Sequence, residues 1–294
     1  MIDRLRKAAL HVYRQSLHGR LARMERHSHG SRATFVGNNR VLVKCVVANV
    51  TLAFYVEADD RLLAPWFIIT GRYETDLTNH FVRELRADSR CIDVGANFGY
   101  FTCLMARLCP EGRVIGIEAD RHIHELTRDN IAINDLSNAR ALHAAVSNQA
   151  GPITLFRRNT RSGNTSITAA DRSFTDLMGE APAEPFSVEA TRIDDLREAL
   201  DGRVDFIKID VEGAEPLAIA GAAETIARNP QLSIVMEWSP GQIRSAGFEV
   251  GTFLQDLEAT GLRPFDLPGK RPTALSYAEL ANLPYRAGIL LKRS

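Results

Sequence analysis

Residues 90–101 read RCIDVGANFGYF, a short β-branched run that breaks into two glycines four apart, Gly95 and Gly99. Asp93 stands two before the first glycine and Asn97 lies between them. An apolar strand, a tight turn and the helical stretch YFTCLMARL together describe a strand–loop–helix unit. The helix start of such a unit presents unpaired N–H groups. The glycines are expected to let backbone come close to a ligand. An ATP loop would end in Gly-Lys-Ser/Thr, and none does here. A dinucleotide loop would be spaced GxGxxG, whereas this one is GxxxG. The cofactor is therefore expected to lack a phosphate, and S-adenosylmethionine is such a molecule.

Strand-like and helix-like segments alternate onward from there. RVIGIEA, ARALHAAVS, VDFIKIDV, LSIVMEW and AGILLKR read as strands. IHELTRDNIAIN, PLAIAGAAETIA and VGTFLQDLEAT read as helices. That rhythm predicts an α/β fold, a mostly parallel, doubly wound sheet covered on both faces. Ligands in such sheets bind at the carboxyl ends of the strands, near the topological switch point. RVIGIEAD ends in Glu118, nineteen residues after Gly99, placed to accept from ribose hydroxyls. Asp120 reads as the cap of the next helix.

In FIKIDVEGAE, Lys208 and Asp210 share one face of a strand. A lysine there needs a partner. Asp210 falls at the strand's carboxyl end, facing the cleft, and Glu237 ends the neighbouring strand. Glu215 has the position of a helix-start acid. Asp210 is the first candidate for a general base, Glu237 the second and His143 a distant third. Asp210, Glu212 and Glu237 could also offer oxygen ligands to Mg²⁺, but pairing with Lys208 and backbone N–H groups is preferred.

The stretches CIDVGANFGYFT, GIEAD, NIAIN, AAVSN and above all DFIKIDVEGAEPLAIAGA resemble the FkbM family of S-adenosylmethionine-dependent methyltransferases, over roughly residues 71–240. The resemblance implies a class I methyltransferase sheet of seven strands, Rossmann-like, with an antiparallel final strand for which AGILLKR is the candidate. It implies methyl transfer to a hydroxyl, on a sugar, glycan or glycolipid, or on a polyketide. It places Asp93, Gly95, Ala96, Asn97, Gly99, Tyr100, Glu118, Ala145, Ser147 and Asp210 around the cofactor, and Lys208, Asp210 and Glu237 at the chemistry. A nicotinamide oxidoreductase is disfavoured by the glycine spacing. A silent cofactor-binding subunit is disfavoured by the intact acid set.

The rest of the chain is less specific. Its 294 residues carry no net charge, which argues against a nucleic-acid partner. The four cysteines form no CxxC pair and read as free thiols of a cytoplasmic protein. No apolar run approaches a membrane span. Residues 1–70 are expected to form an extension: a basic amphipathic helix over 1–32, with a local charge of +6, then a hairpin over 41–57. That helix suits packing on the domain itself or on a second subunit, a homodimer included, and also suits an anionic membrane surface from the inner face. Residues 71–294 are expected from the resemblance to form the methyltransferase domain, interrupted by an irregular insertion over 151–186. Within it Arg157, Arg158 and Arg161 form a charge cluster that could meet an anionic acceptor. Trp238 could stack on a sugar or cap the core.

Overall fold

The computed structural model describes residues 31–47, 49–61, 63–157, 165–168, 183–267, 269 and 271–293. The expected basic helix lies outside them up to residue 30, as do Arg158 and Arg161.

The chain enters through an antiparallel meander, β1 (Ser31–Gly37), β2 (Arg40–Val47) and β3 (Val50–Glu57), so the expected hairpin gains a third strand. Val43, Cys45 and Val47 alternate inward on β2, and Leu52, Phe54 and Val56 on β3, the period of a half-buried sheet. Two helices follow, α1 (Ala64–Thr70) and α2 (Thr75–Glu84). The alternation then runs β4 (Arg90–Val94), α3 (Tyr100–Leu108), β5 (Arg113–Glu118), α4 (Arg121–Ile133) and β6 (Ala139–His143). After a side sheet of β7 (Ala145–Val146), β8 (Gly151–Arg157) and β9 (Glu184–Thr191) come β10 (Phe206–Ile209), α5 (Glu215–Ala220) and α6 (Ala223–Arg228). The chain closes with β11 (Ser233–Trp238), α7 (Pro240–Ser245), α8 (Val250–Ala259), β12 (Arg263–Asp266), β13 (Thr273–Ala274), α9 (Tyr277–Asn282) and β14 (Arg286–Lys292).

The main sheet has the order β13-β12-β14-β11-β10-β4-β5-β6. Strands β6, β5, β4, β10 and β11 are parallel, and β14 inserts antiparallel between β11 and β12. This is the doubly wound sheet that the resemblance implies, with AGILLKR as its antiparallel strand. It counts eight strands rather than seven because the two-residue β13 pairs on the edge of β12. From β4 the chain runs outward to β5 and β6, then returns to β10 on the other side of β4. The carboxyl ends of β4 and β10 thus flank the switch-point crevice.

Three expectations change. ARALHAAVS is two strands, β6 in the main sheet and β7 in the side sheet. The insertion is not irregular at its base, because β8 and β9 pair antiparallel from Gly151↔Ala190 to Arg157↔Glu184. PLAIAGAAETIA breaks into two helices at Gly221, where a Cβ would sit 2.2 Å from the Ser147 carbonyl oxygen. That close approach leaves no room for a side chain on a continuous helix. No helix among the described residues is long and apolar enough to cross a membrane.

The meander shares one hydrophobic core with the front of the sheet. Phe54 meets Phe67 and Phe98 edge-on, with centroids 5.7 Å apart in both pairs. Asn130 and Asn134, one helical turn apart in NIAIN, act as an edge strand made of side chains. Asn130 accepts from Tyr55 N (2.7 Å) and donates to Tyr55 O (2.9 Å) and Phe98 O (2.7 Å). Asn134 makes the same pair of bonds to Ala53. Fully buried Asn130 therefore ties β3, the glycine loop and α4 together. Asn130→Leu would orphan three backbone groups, and it is expected to cost roughly 3 kcal/mol. Denaturant unfolding of the two proteins checks this.

Candidate active site

A cavity of about 500 Å³ opens at the switch point, within the roughly 300–1,000 Å³ of small-molecule sites. The two sequence boxes meet there. The Asp210 N–H donates to Val94 O at 3.1 Å, and Gly95 and Ala96 both donate to Ile117 O. The loop glycines serve the protein before they serve a ligand. Gly95 has φ +74° and an added Cβ would lie 1.9 Å from Asp210 O. Gly99 has φ +84° and its Cβ would press on the Thr127 methyl at 2.8 Å. Packing alone already requires glycine at both positions: Gly95 admits the Asp210 carbonyl just after β10, and Gly99 admits Thr127 of α4.

Glu118 ends β5 inside the cavity and is 8% exposed. One carboxylate oxygen accepts from Asn97 N and the other from Asp120 N, each at 2.9 Å. A remaining lone pair on each can take a ribose hydroxyl. Burial raises its pKa to about 7. Asn97, at φ +50°, turns its N–H to Glu118 while its Oδ1 accepts from Phe98 N. Asp120 caps α4, accepting from His122 N and Ile123 N.

Asp93 does not line the cavity. It is 1% exposed, with Oδ2 held by the Thr102 hydroxyl at 2.6 Å and Oδ1 without a partner. Burial raises its pKa, against the pull of Lys208 and Thr102. Ala96 and Ala145 line the cavity. Tyr100 lines it too but is locked, 1% exposed, its hydroxyl 3.1 Å from that of Thr78. Ser147 is not at the cavity: its hydroxyl turns to Asn148 and its carbonyl abuts Gly221.

On the opposite wall Lys208 finds its partner. Nζ lies 3.0 Å from Asp210 Oδ2 and 5.1 Å from the Phe101 ring centroid. Burial works to lower its pKa, but Asp210, Asp93 and Glu74 overcome that and hold it above its ordinary value. Lys208 therefore stays charged and orients Asp210. The Asp210 side chain is 25% exposed, toward the cavity. Glu237 is 8% exposed, and burial, then Asp210, Glu212 and Glu215, push its pKa to about 10. Burial and the neighbouring acids thus disfavour the ionised form of Glu237 when no ligand is bound, which leaves Asp210 the better-placed base. His143 faces Ala119 O at 3.0 Å, outside the cavity lining.

Other expectations resolve toward structure. Glu215 Oε1 accepts from Val211 N and Gly213 N, closing the turn before α5. Trp238 is fully buried, donates to Leu283 O and stacks on Phe253, so it belongs to the core. Arg157 pairs with Asp120 and lies over the Phe186 ring, outside the cavity lining. All four cysteines are free and buried. Among the described residues no group of three metal-ligating side chains converges. Glu212 is held by Gln242.

Two residues escaped the sequence. Glu74 lines the cavity from the N-cap of α2 at φ 38°, a left-handed backbone uncommon outside glycine. Burial raises its pKa to about 7, opposed by Lys208. Tyr285, before β14, shares a hydrogen bond with Glu237. Glu74 falls in GRYETDLTNHFVREL, the lead-in stretch of the resemblance, and Tyr285 lies beyond its end; no spacing singles out either as a site residue.

The raised acids set a sign for stability. A carboxyl whose folded pKa exceeds its unfolded value stabilises fully at low pH and loses that contribution as pH rises toward the folded pKa. For Glu237 the window runs from 4.5 to about 10. Glu237→Gln is therefore expected to flatten the fall in Tm between about pH 6.5 and 8.5, measured by calorimetry on ligand-free protein.

Residues 93–260 match the methyltransferase FkbM domain. The chain is 29% identical over 198 residues to Methyltransferase sdnD of Sordaria araneosa, covering 58% of this chain and 76% of that protein. It is 28% identical over 151 residues to the 2-O-methyltransferase NoeI of Sinorhizobium fredii (strain NBRC 101917 / NGR234), covering 49% of this chain and 61% of the relative. Among solved structures, M. jannaschii TYW2 in complex with AdoMet superposes with a TM-score of 0.43 at 10% identity, covering 89% of this chain and 90% of that one.

Proposed function

We propose that this chain, which belongs to the FkbM methyltransferase family and uses S-adenosylmethionine, methylates a hydroxyl oxygen on a sugar or glycan. The observation that carries the reading is Asp210: a carboxylate at the switch point, aimed into the cavity and held by a lysine that stays charged. A sugar hydroxyl is a weak nucleophile while protonated, so a base in contact with it lowers the barrier. The 2-O-methyltransferase NoeI among its relatives supports oxygen as the target.

The residues present fit the cofactor. Glu118 offers lone pairs to the ribose, Ala96 and Ala145 give it smooth walls, and the surrounding acids suit a cation. When bound, S-adenosylmethionine supplies a methyl group on a positively charged sulfur. The protein's part is to place the acceptor oxygen in line with that methyl group and exclude water. Asp210 would take the acceptor's hydroxyl proton as that oxygen is methylated and would pass it later to solvent. Lys208 keeps the carboxylate pointed at the cleft throughout.

The test is incubation with methyl-labelled S-adenosylmethionine and a panel of mono- and oligosaccharides, the product read by NMR. A new O-methyl resonance, absent in Asp210→Asn, is expected. Label on nitrogen or carbon in every product would contradict the reading.

A further inference from the structure

The acceptor side of the cavity holds more acid than its own cations can balance. Glu74, Asp210, Glu212 and Glu237 line it, and Lys208 is the one lysine or arginine among its described lining residues. That lysine is 4% exposed and already committed to Asp210 and the Phe101 ring. Glu237 stands apart from a merely solvated acidic patch. It is 8% exposed on the cavity wall, and its Oε2 has no hydrogen-bond partner. Glu74 likewise has an Oε2 with no partner. Tyr285 lines the same cavity as Glu237, Asp210 and Glu74.

Buried polar atoms without partners are rare in native proteins and point to a missing donor. S-adenosylmethionine brings a single net positive charge and its thioether product brings none, fewer than the acids present. Arg157, the one described residue of the cluster suited to an anionic acceptor, is bound to Asp120 instead.

We propose that the acceptor is itself a cation, an amino sugar or another amino alcohol, whose protonated amine docks against Glu237 and Glu74 while a neighbouring hydroxyl meets Asp210. The inference rests on the O-methyl reading and narrows it. A protonated amine supplies three donors, and an opposite charge in contact favours the ionised form of both raised carboxyls, so the two orphaned oxygens are satisfied by charge-assisted bonds. A uronate or sugar phosphate would bring like charge to the same wall, so the cluster selects against anionic acceptors as well as for cationic ones. Glu237 and Glu74 act here as specificity-determining residues, and the proton transfer stays with Asp210.

The test titrates the full chain, saturated with S-adenosylhomocysteine, with glucosamine, glucose and glucuronate, using ligand-observed NMR. Glucosamine is expected to bind about tenfold more tightly than glucose, with glucuronate weakest. Glu237→Gln should shrink the glucosamine advantage to about threefold or less. Glu74→Gln serves as a second variant should the first lose its fold, which its Tm reports. Equal affinity for glucosamine and glucose, tighter glucuronate, no glucosamine binding, or an advantage untouched by either variant would overturn the inference. The two readings fail differently. Methyl label on the glucosamine nitrogen would remove the O-methyl reading and leave cation recognition standing. O-methylation of neutral sugars with no amine preference would do the reverse.

Discussion

Asp210→Asn is expected to lower kcat by about 10²–10⁴-fold while leaving S-adenosylhomocysteine affinity within about threefold. The amide keeps the shape of the carboxylate and removes only its capacity to accept a proton. Lys208 does not become an isolated buried charge, because Asp93 and Glu74 also hold it. The variant is therefore expected to fold, and its Tm checks that. A shape-preserving change that lowers kcat and kcat/KM equally marks an interaction made in the transition state. If activity persisted near the parent level, Asp210 would be an orienting group only. The base would then have to be sought elsewhere on the cavity wall.

The second large effect belongs to Gly95→Ala. A Cβ at that position would stand 1.9 Å from the Asp210 carbonyl oxygen, on a residue with φ +74°. The obstacle is backbone, which cannot swing aside as a side-chain tip can. Left-handed strain adds about 1–2 kcal/mol to whatever displacement the clash forces. A loss of about 4 kcal/mol or more is expected, together with loss of cofactor binding. Thermal unfolding and calorimetric titration read the two effects separately. Gly99→Ala is expected to be milder, since its Cβ would meet the methyl of Thr127 rather than a carbonyl.

These two residues show how far the chain's linear order carries. RCIDVGANFGYF announces a strand, a turn and a helix, and the structure places them at Arg90–Val94 and Tyr100–Leu108. The GxxxG spacing disfavoured two cofactor classes without revealing why glycine stands at 95. That reason is Asp210, a neighbour only once β10 has crossed back beside β4. Lys208 was legible as a buried charge needing a partner because its partner is two residues away. Glu74 was not, because its backbone conformation and its acidic neighbours are supplied by the fold. The side-chain edge made by Asn130 and Asn134 was hidden for a similar reason: it serves strand β3, roughly 80 residues earlier in the chain. The hairpin of β8 and β9 was masked by polar, turn-rich composition between its strands. Trp238 was readable either way and Ser147 stood at the cofactor only through the resemblance; strand alternation and the break at Gly221 turn both into the protein.

The measurement that tests the account most directly is a calorimetric titration of the chain with S-adenosylhomocysteine and, separately, with NAD, repeated on Glu118→Gln. Micromolar binding of the homocysteine product is expected, with no NAD heat. The amide should weaken that binding by roughly 10–100-fold, since an ionised acceptor of two ribose hydroxyls is worth more than a neutral one. NAD binding in its place, or homocysteine binding indifferent to Glu118, would contradict the assignment of this crevice to the methyl donor.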